Sequence, residues 1–258
     1  MSRGKFVQNT TVTFATGILS LLIGVGTSVI LARVLGPEGK GIYALATLLP
    51  SLIVTFGNLG IGPATVYYVA RNEFNRKEIL GNNVFLSLGV GAVGIIAGLV
   101  VVFFFGETVF PGVPVAYLLL ALVLVPVEIF SSYIRCVLLG AQSIKEFNYV
   151  QITQSALFLG FIALALLGLR GGASGAILAG LATWLLIDVM TFRLAMKVAG
   201  GISLRLNVSY IKQVTKYGLQ AHLANILGFL NYRVDMFLVN GFLGPAAVGL
   251  YSVGVGLV

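Results

Sequence analysis

The sequence predicts an all-α integral membrane protein, a polytopic helical bundle built as two lobes, on three observations. Hydrophobic residues fill 58% of 258 positions and charged residues 9%, against roughly a quarter charged in soluble domains. Six runs without Asp, Glu, Lys or Arg, at 6–32, 41–70, 79–106, 108–127, 147–169 and 171–187, are each about long enough to cross a ~30 Å hydrocarbon core. The third observation is a repeat. Leu35-Gly36-Pro37-Glu38-Gly39-Lys40-Gly41-Ile42-Tyr43 returns 208 positions later as Leu243-Gly244-Pro245-Ala246-Ala247-Val248-Gly249-Leu250-Tyr251. Gly-Pro closes one helix, since Pro brings no amide donor and Gly accepts a positive φ, and Gly-(Ile/Leu)-Tyr opens the next. A duplication of this length in an apolar chain predicts two similar lobes with any substrate site between them.

Six spanning helices follow, with a seventh near 217–240 that carries internal charges and an eighth starting at Gly249. The chain divides into an N-terminal lobe at 1–192 (helices 1–6), a cytoplasmic amphipathic linker at 193–216 and the start of a C-terminal lobe at 217–258. With the second lobe barely begun, the chain reads as a fragment or a truncated frame. The first apolar run is too long for a signal-peptide core and has no small-residue cleavage site, so it is expected to be retained. A lone Cys136 excludes an internal disulfide.

The formal net charge of +8 needs no nucleic-acid partner. With the amino terminus in the cytoplasm, inner segments hold Arg3, Lys5, Arg71, Arg76, Lys77, Arg135, Lys145, Arg193, Lys197, Arg205, Lys212 and Lys216. Outer segments hold only Arg33, Lys40 and Arg170. The positive-inside rule sets the orientation on that asymmetry, in a plasma or inner cell membrane.

Helix 1 gathers Thr13, Thr16, Gly17, Ser20, Gly24, Thr27 and Ser28 on one face, either a groove for close helix packing or a wall of a polar cavity. Helix 2 is broken by Pro50 and by the stretch 57–63. Irregular backbone at membrane depth needs protein or water to satisfy it, and Asn58 is the candidate to do so. Helix 3, apart from Asn82 and Asn83, reads as peripheral. Helix 4 sets Glu128, Ser132 and Arg135 on one face, with Glu128 about mid-membrane, where an ionisable group must be paired or hydrated. Asp188 closes helix 6 near its inner end. Helix 7 presents His222, Asn225, Phe229 and Arg233 on one face and Asn231 and Asp235 on nearly the opposite one, so protein or water is expected on both sides. His222 reads as a neutral, hydrogen-bonded histidine or as a proton-coupling group.

No enzyme is predicted: no metal-ligand spacing, phosphate loop, nucleophile–base set or cofactor motif occurs, and the loops are too short for a soluble catalytic domain. A polar, partly cationic interior within an apolar two-lobe bundle is the anatomy of a transporter.

Three segments carry a family likeness. They are the pattern from Leu31 to Tyr43, the segment from Gly60 to Arg71 with Tyr67-Tyr68-Val69-Ala70-Arg71, and Arg233-Val234-Asp235 ahead of Leu243-Gly244-Pro245 and Gly249-Leu250-Tyr251. In order and separation they resemble the oligosaccharide flippases of the multidrug/oligosaccharidyl-lipid/polysaccharide (MOP) exporter superfamily, along the whole chain. The resemblance implies two six-helix lobes in a V that move polyprenyl-diphosphate-linked oligosaccharides outward for surface polysaccharide. The implied partners are lipid-linked oligosaccharide, membrane lipids, and the glycan polymerase and glycosyltransferases of the same pathway. Combined with the charges, it puts Arg233 first and Arg135 second as diphosphate-binding groups. Arg33 and Arg71 stand at the outer and inner mouths. Glu128 and Asp235 offset these cations, and Asn225, His222 and Asn58 supply further cavity polarity. One alternative is an ion-coupled exporter of cationic drugs using Glu128, Asp188 and Asp235. Another, a membrane-embedded glycan polymerase or ligase, needs a large outer loop that this stretch lacks.

Overall fold

The computed structural model describes residues 3–255, with side chains for all of these except 3–6, 8, 221 and 223–233. The order is α1 (Arg3–Gly57), α2 (Ile61–Arg71), α3 (Arg76–Val109), α4 (Val115–Leu122), α5 (Leu124–Gly140), α6 (Ile144–Ala163), a π-helical turn (Leu164–Gly168), α7 (Gly172–Ala199), α8 (Val208–Leu243) and α9 (Pro245–Val255). The apolar stretch Asn9–Gly57 runs 49 residues, about twice what one crossing needs. It holds two passes, because Gly36 interrupts it with φ 67 and ψ −179. Gly244, its equivalent in the repeat, has φ 79 and ψ 178. That region is essentially glycine-only, so the two copies share a backbone conformation as well as a sequence.

Local chemistry sets the other boundaries. Asn75 and Asn207 cap α3 and α8, accepting from the backbone N–H of Lys77 at 2.9 Å and of Tyr210 at 3.0 Å. Pro126, with no N–H to give, sits in the first turn of α5, where none is required, and divides α4 from α5 at Val123.

The passes alternate in direction. At one end Asn240 donates to the Pro111 carbonyl at 3.3 Å, Gly112 abuts Pro245, and Val34, Leu35 and Arg170 share one pocket. At the other end Ser203 N–H reaches the Lys77 carbonyl at 3.0 Å and Asn148 donates to Thr13 at 2.9 Å. The basic residues of 71–77, 145 and 193–216 lie at this second end, hereafter the basic end. Orientation is tested by labelling in a Cys136→Ala background. A maleimide applied from outside should modify Glu107→Cys at the Gly-Pro end and spare Lys212→Cys; the reverse pattern rejects a cytoplasmic amino terminus.

The repeats meet reciprocally. A Cβ on Gly41 would run into the Pro245 carbonyl, and one on Gly249 into the carbonyl of Pro37. Each glycine thus faces the residue equivalent to its partner's own neighbour, as a local two-fold relation requires, and both Gly-Pro turns stand at the same end. A second crossing lies nearer the basic end, where Cβ atoms on Gly60 and Gly218 would strike the backbone of Gly218 and of Leu59–Gly60. Small residues let helix backbones approach this closely in lipid.

Two expectations change. Helix 7 does not follow a separate surface linker: α7 continues to Ala199 and α8 starts at Val208, merging 208–216 with the seventh pass. Buried Tyr210 and Val214, one turn apart, anchor that merged stretch, while Leu204 and Leu206 stay exposed. Helix 3 is not peripheral at its basic end. Asn82 and Asn83 are fully buried there, and Asn82 joins the carbonyls of Glu78 and Arg205 at 2.7 and 3.1 Å. Its other half does carry exposed Val93, Ile96, Phe103 and Phe104.

Candidate functional site

Helix 2 breaks where the glycines predict. α1 ends at Gly57, Leu59 and Gly60 take positive φ, and α2 begins at Ile61. Asn58 does not satisfy the freed carbonyls. Its Nδ2 points to the Ser132 hydroxyl at 3.5 Å, and its buried Oδ1 has no partner. Tyr133 donates to the Asn58 carbonyl at 3.2 Å. His222, from the second repeat, reaches the Phe56 carbonyl at 2.8 Å through Nε2. A carbonyl only accepts, so Nε2 carries the proton, and Nδ1 is buried without a partner. Histidine and helix break are therefore one unit joining the two repeats.

A second polar cluster lies within the first lobe. A half-open cavity of about 280 Å³ is lined by Tyr43, Thr47, Glu128, Gln154, Ser155, Thr183 and Trp184, among others. Arg135 donates to Gln154 at 2.6 Å and stacks over Trp184 at 5.3 Å. Asp188, 8% exposed, acts electrostatically on both Glu128 and Arg135. No ion pair within 4 Å joins these three among the described residues, and Asp188 Oδ1 and Arg135 Nε lack hydrogen-bond partners. Arg135 thus points into the lobe toward α6 and α7, while Ser132 on the same helix turns to Asn58 on helix 2.

The remaining candidates lie apart from this cluster. Arg33 is exposed at the Gly-Pro end. Arg71, at the basic end, bonds the Tyr67 hydroxyl and pairs with Glu73 at 2.8 Å. Asp235 accepts from the Met236 N–H at 2.7 Å and from the Tyr251 hydroxyl, which ties it into its own repeat. The side chains of Arg233, Asn225, Phe229 and Asn231 lie outside the described residues. On helix 1, Thr16 and Thr27 are buried, while a Cβ placed on Gly17 or Gly24 would meet nothing within 4 Å. Both packing and an open wall are thus present on the small-residue face. Sequence reasoning missed Lys40, which is 8% exposed and lies 5.6 Å over the Tyr43 ring. The three-residue spacing of Lys40 and Tyr43, one helical turn, was its signal.

Comparison with known proteins places this arrangement. Residues 6–258 match the family described as polysaccharide biosynthesis protein. Stage V sporulation protein B of Bacillus subtilis (strain 168) is 25% identical over 193 residues, covering 70% of this chain and 37% of the relative. The multidrug transporter DinF-BH of the MATE type superposes with a TM-score of 0.74 at 19% identity, over 96% of this chain and 58% of that one. An outward-facing multidrug resistance transporter of the MATE family, within the MOP superfamily, gives 0.70 at 17% identity, over 97% and 64%. The chain therefore spans little more than a third of its curated relative's length and under two thirds of these transporters.

Proposed function

The chain belongs to the family described as polysaccharide biosynthesis protein, and on that premise we propose that it forms part of a flippase of the MOP superfamily moving lipid-linked oligosaccharide from the cytoplasmic to the outer leaflet. The family match over residues 6–258 carries this reading, and the reciprocal seam between the repeats supplies a geometry for it: equivalent hairpins meeting about a local two-fold can part at either end. The lipid tail stays in the bilayer while the diphosphate and sugars cross between lobes. Arg233, with Arg33 and Arg71 at the two mouths, offsets phosphate charge that hydrocarbon would not tolerate. Arg135, held by Gln154 and Trp184, is structural in this reading. The pathway's glycosyltransferases and polymerase are its functional partners.

A second reading has its own observation. Glu128 in the wall of a half-open cavity of mixed polar and apolar lining, with Asp188 close by, suits a cation, as an ion-coupled exporter of cationic drugs requires. Proteoliposomes separate the two. A fluorescent polyprenyl-diphosphate oligosaccharide should change leaflet, Arg233→Ala should abolish that movement, and Arg233→Lys should keep part of it through charge alone. Export of a cationic dye with no movement of the glycan lipid overturns the flippase reading.

A further inference from the structure

At the basic end, five aromatic rings from both repeats pack together. Tyr67 on α2 and Tyr217 on α8 stack at 4.8 Å and 22°. Tyr68 stands edge-on to Tyr67 at 5.1 Å, and Phe74 and Tyr210 close the cluster at 5.3 Å. The cluster is rooted in buried polar chemistry: the Tyr210 hydroxyl donates to Asn83 at 2.8 Å, and Asn83 donates to the Tyr133 carbonyl at 3.2 Å. Its free edge is charged. Arg71 lies 5.2 Å over the Tyr67 ring with its side chain 58% exposed, and Lys216 is exposed beside Tyr217, the most exposed of the five rings at 38%. Aromatic belts at membrane surfaces are spread around the circumference and face headgroups. Here the rings instead face each other across the junction of the repeats.

We infer that this edge is a docking subsite for the glycosyl diphosphate head of a lipid, with Arg71 taking phosphate and Tyr217 the apolar C–H face of the first sugar. The inference rests on the flippase reading and names the place where the head is first held. Glu73 does not block it, since an exposed ion pair is worth little and a diphosphate offers a guanidinium more charge and a bidentate partner. A rigid ring costs little ordering, and a pyranose packs flat on it.

The test places the full chain in phosphatidylcholine nanodiscs and measures binding of a short-chain polyprenyl diphosphate with and without one hexose. The hexose-bearing probe should bind several-fold tighter. Tyr217→Leu should erase that preference without changing the sugar-free affinity, and Tyr217→Phe should keep it. Arg71→Gln should weaken both probes roughly tenfold, the size of one charged hydrogen bond. Absence of a hexose preference in the unmodified chain, its survival in Tyr217→Leu, or displacement of the probe by equimolar phosphatidylglycerol each overturns the subsite. Flipping in liposomes is scored separately: glycan-lipid flipping with no hexose preference removes the subsite and spares the flippase reading, whereas hexose-dependent binding without flipping supports the subsite and removes that reading.

Discussion

Gly41→Ala should lower the melting temperature of the protein in detergent and cut its abundance in the membrane, and Gly249→Ala should do the same. The added methyl at either position meets a main-chain carbonyl, of Pro245 or of Pro37, which cannot rotate away as a side chain could. Relief requires the helices to separate, so the cost belongs at or above the upper end of the roughly 1–3 kcal/mol usual for overpacking. Lipid gives no hydrophobic gain to offset it, because helix association there depends on van der Waals packing. The double variant should cost less than the sum of the single ones, since one methyl already opens the seam that the other would meet. Gly17→Ala and Gly89→Ala are the controls. Neither position has an atom within 4 Å of the new methyl, and both should hold or slightly raise the melting temperature, by up to about 1 kcal/mol of helix propensity. Unchanged melting of Gly41→Ala would mean that the repeats do not dock through this glycine.

The positions of the passes were legible because each depends on local signals: charge-free runs and Gly-Pro stops. The break in helix 2 was legible for the same reason, since Gly57, Gly60, Gly62 and Pro63 cannot sustain a regular helix. What satisfies the break was not. Tyr133 and His222 lie 75 and 166 residues away from the carbonyls they bond, and no periodicity encodes a contact at that distance. The repeat told which turns are equivalent but not that they touch, because a duplication is equally compatible with lobes that are apart. Arg135 shows a finer limit. Spacing put it on one face with Glu128 and Ser132, and 100° per residue does decide the face, yet residues 60° apart reach different neighbours, and here Ser132 meets helix 2 while Arg135 meets α6. Asn82 and Asn83 read as an unremarkable polar pair at a helix end. Only the fold shows them buried beneath the start of α8, where 200–207 folds back over them.

Arg135→Met should destabilise the protein by about 1–3 kcal/mol, the cost of leaving a buried hydrogen-bond partner unsatisfied. The guanidinium is engaged on two sides, by Gln154 at 2.6 Å and by the Trp184 ring at 5.3 Å, and it supplies the positive charge opposing Asp188. Without it, Asp188, 8% exposed and already lacking a partner at Oδ1, is left with Glu128 as its charged neighbour, which repels it. Arg135→Met with Asp188→Asn should recover part of the loss, because neutralising Asp188 removes the buried charge that Arg135 opposed but not the lost contacts with Gln154 and Trp184. Asp188→Asn alone should cost less than Arg135→Met, since it leaves the guanidinium its bond to Gln154 and its place over Trp184. These values come from chemical unfolding of the purified protein, with membrane abundance as the cellular counterpart. The opposite pattern has a definite meaning. If Arg135→Met melts normally, loses glycan-lipid transport, and is not rescued by Asp188→Asn, then Arg135 serves the substrate, and the cluster around Trp184 opens toward the space between the lobes during transport.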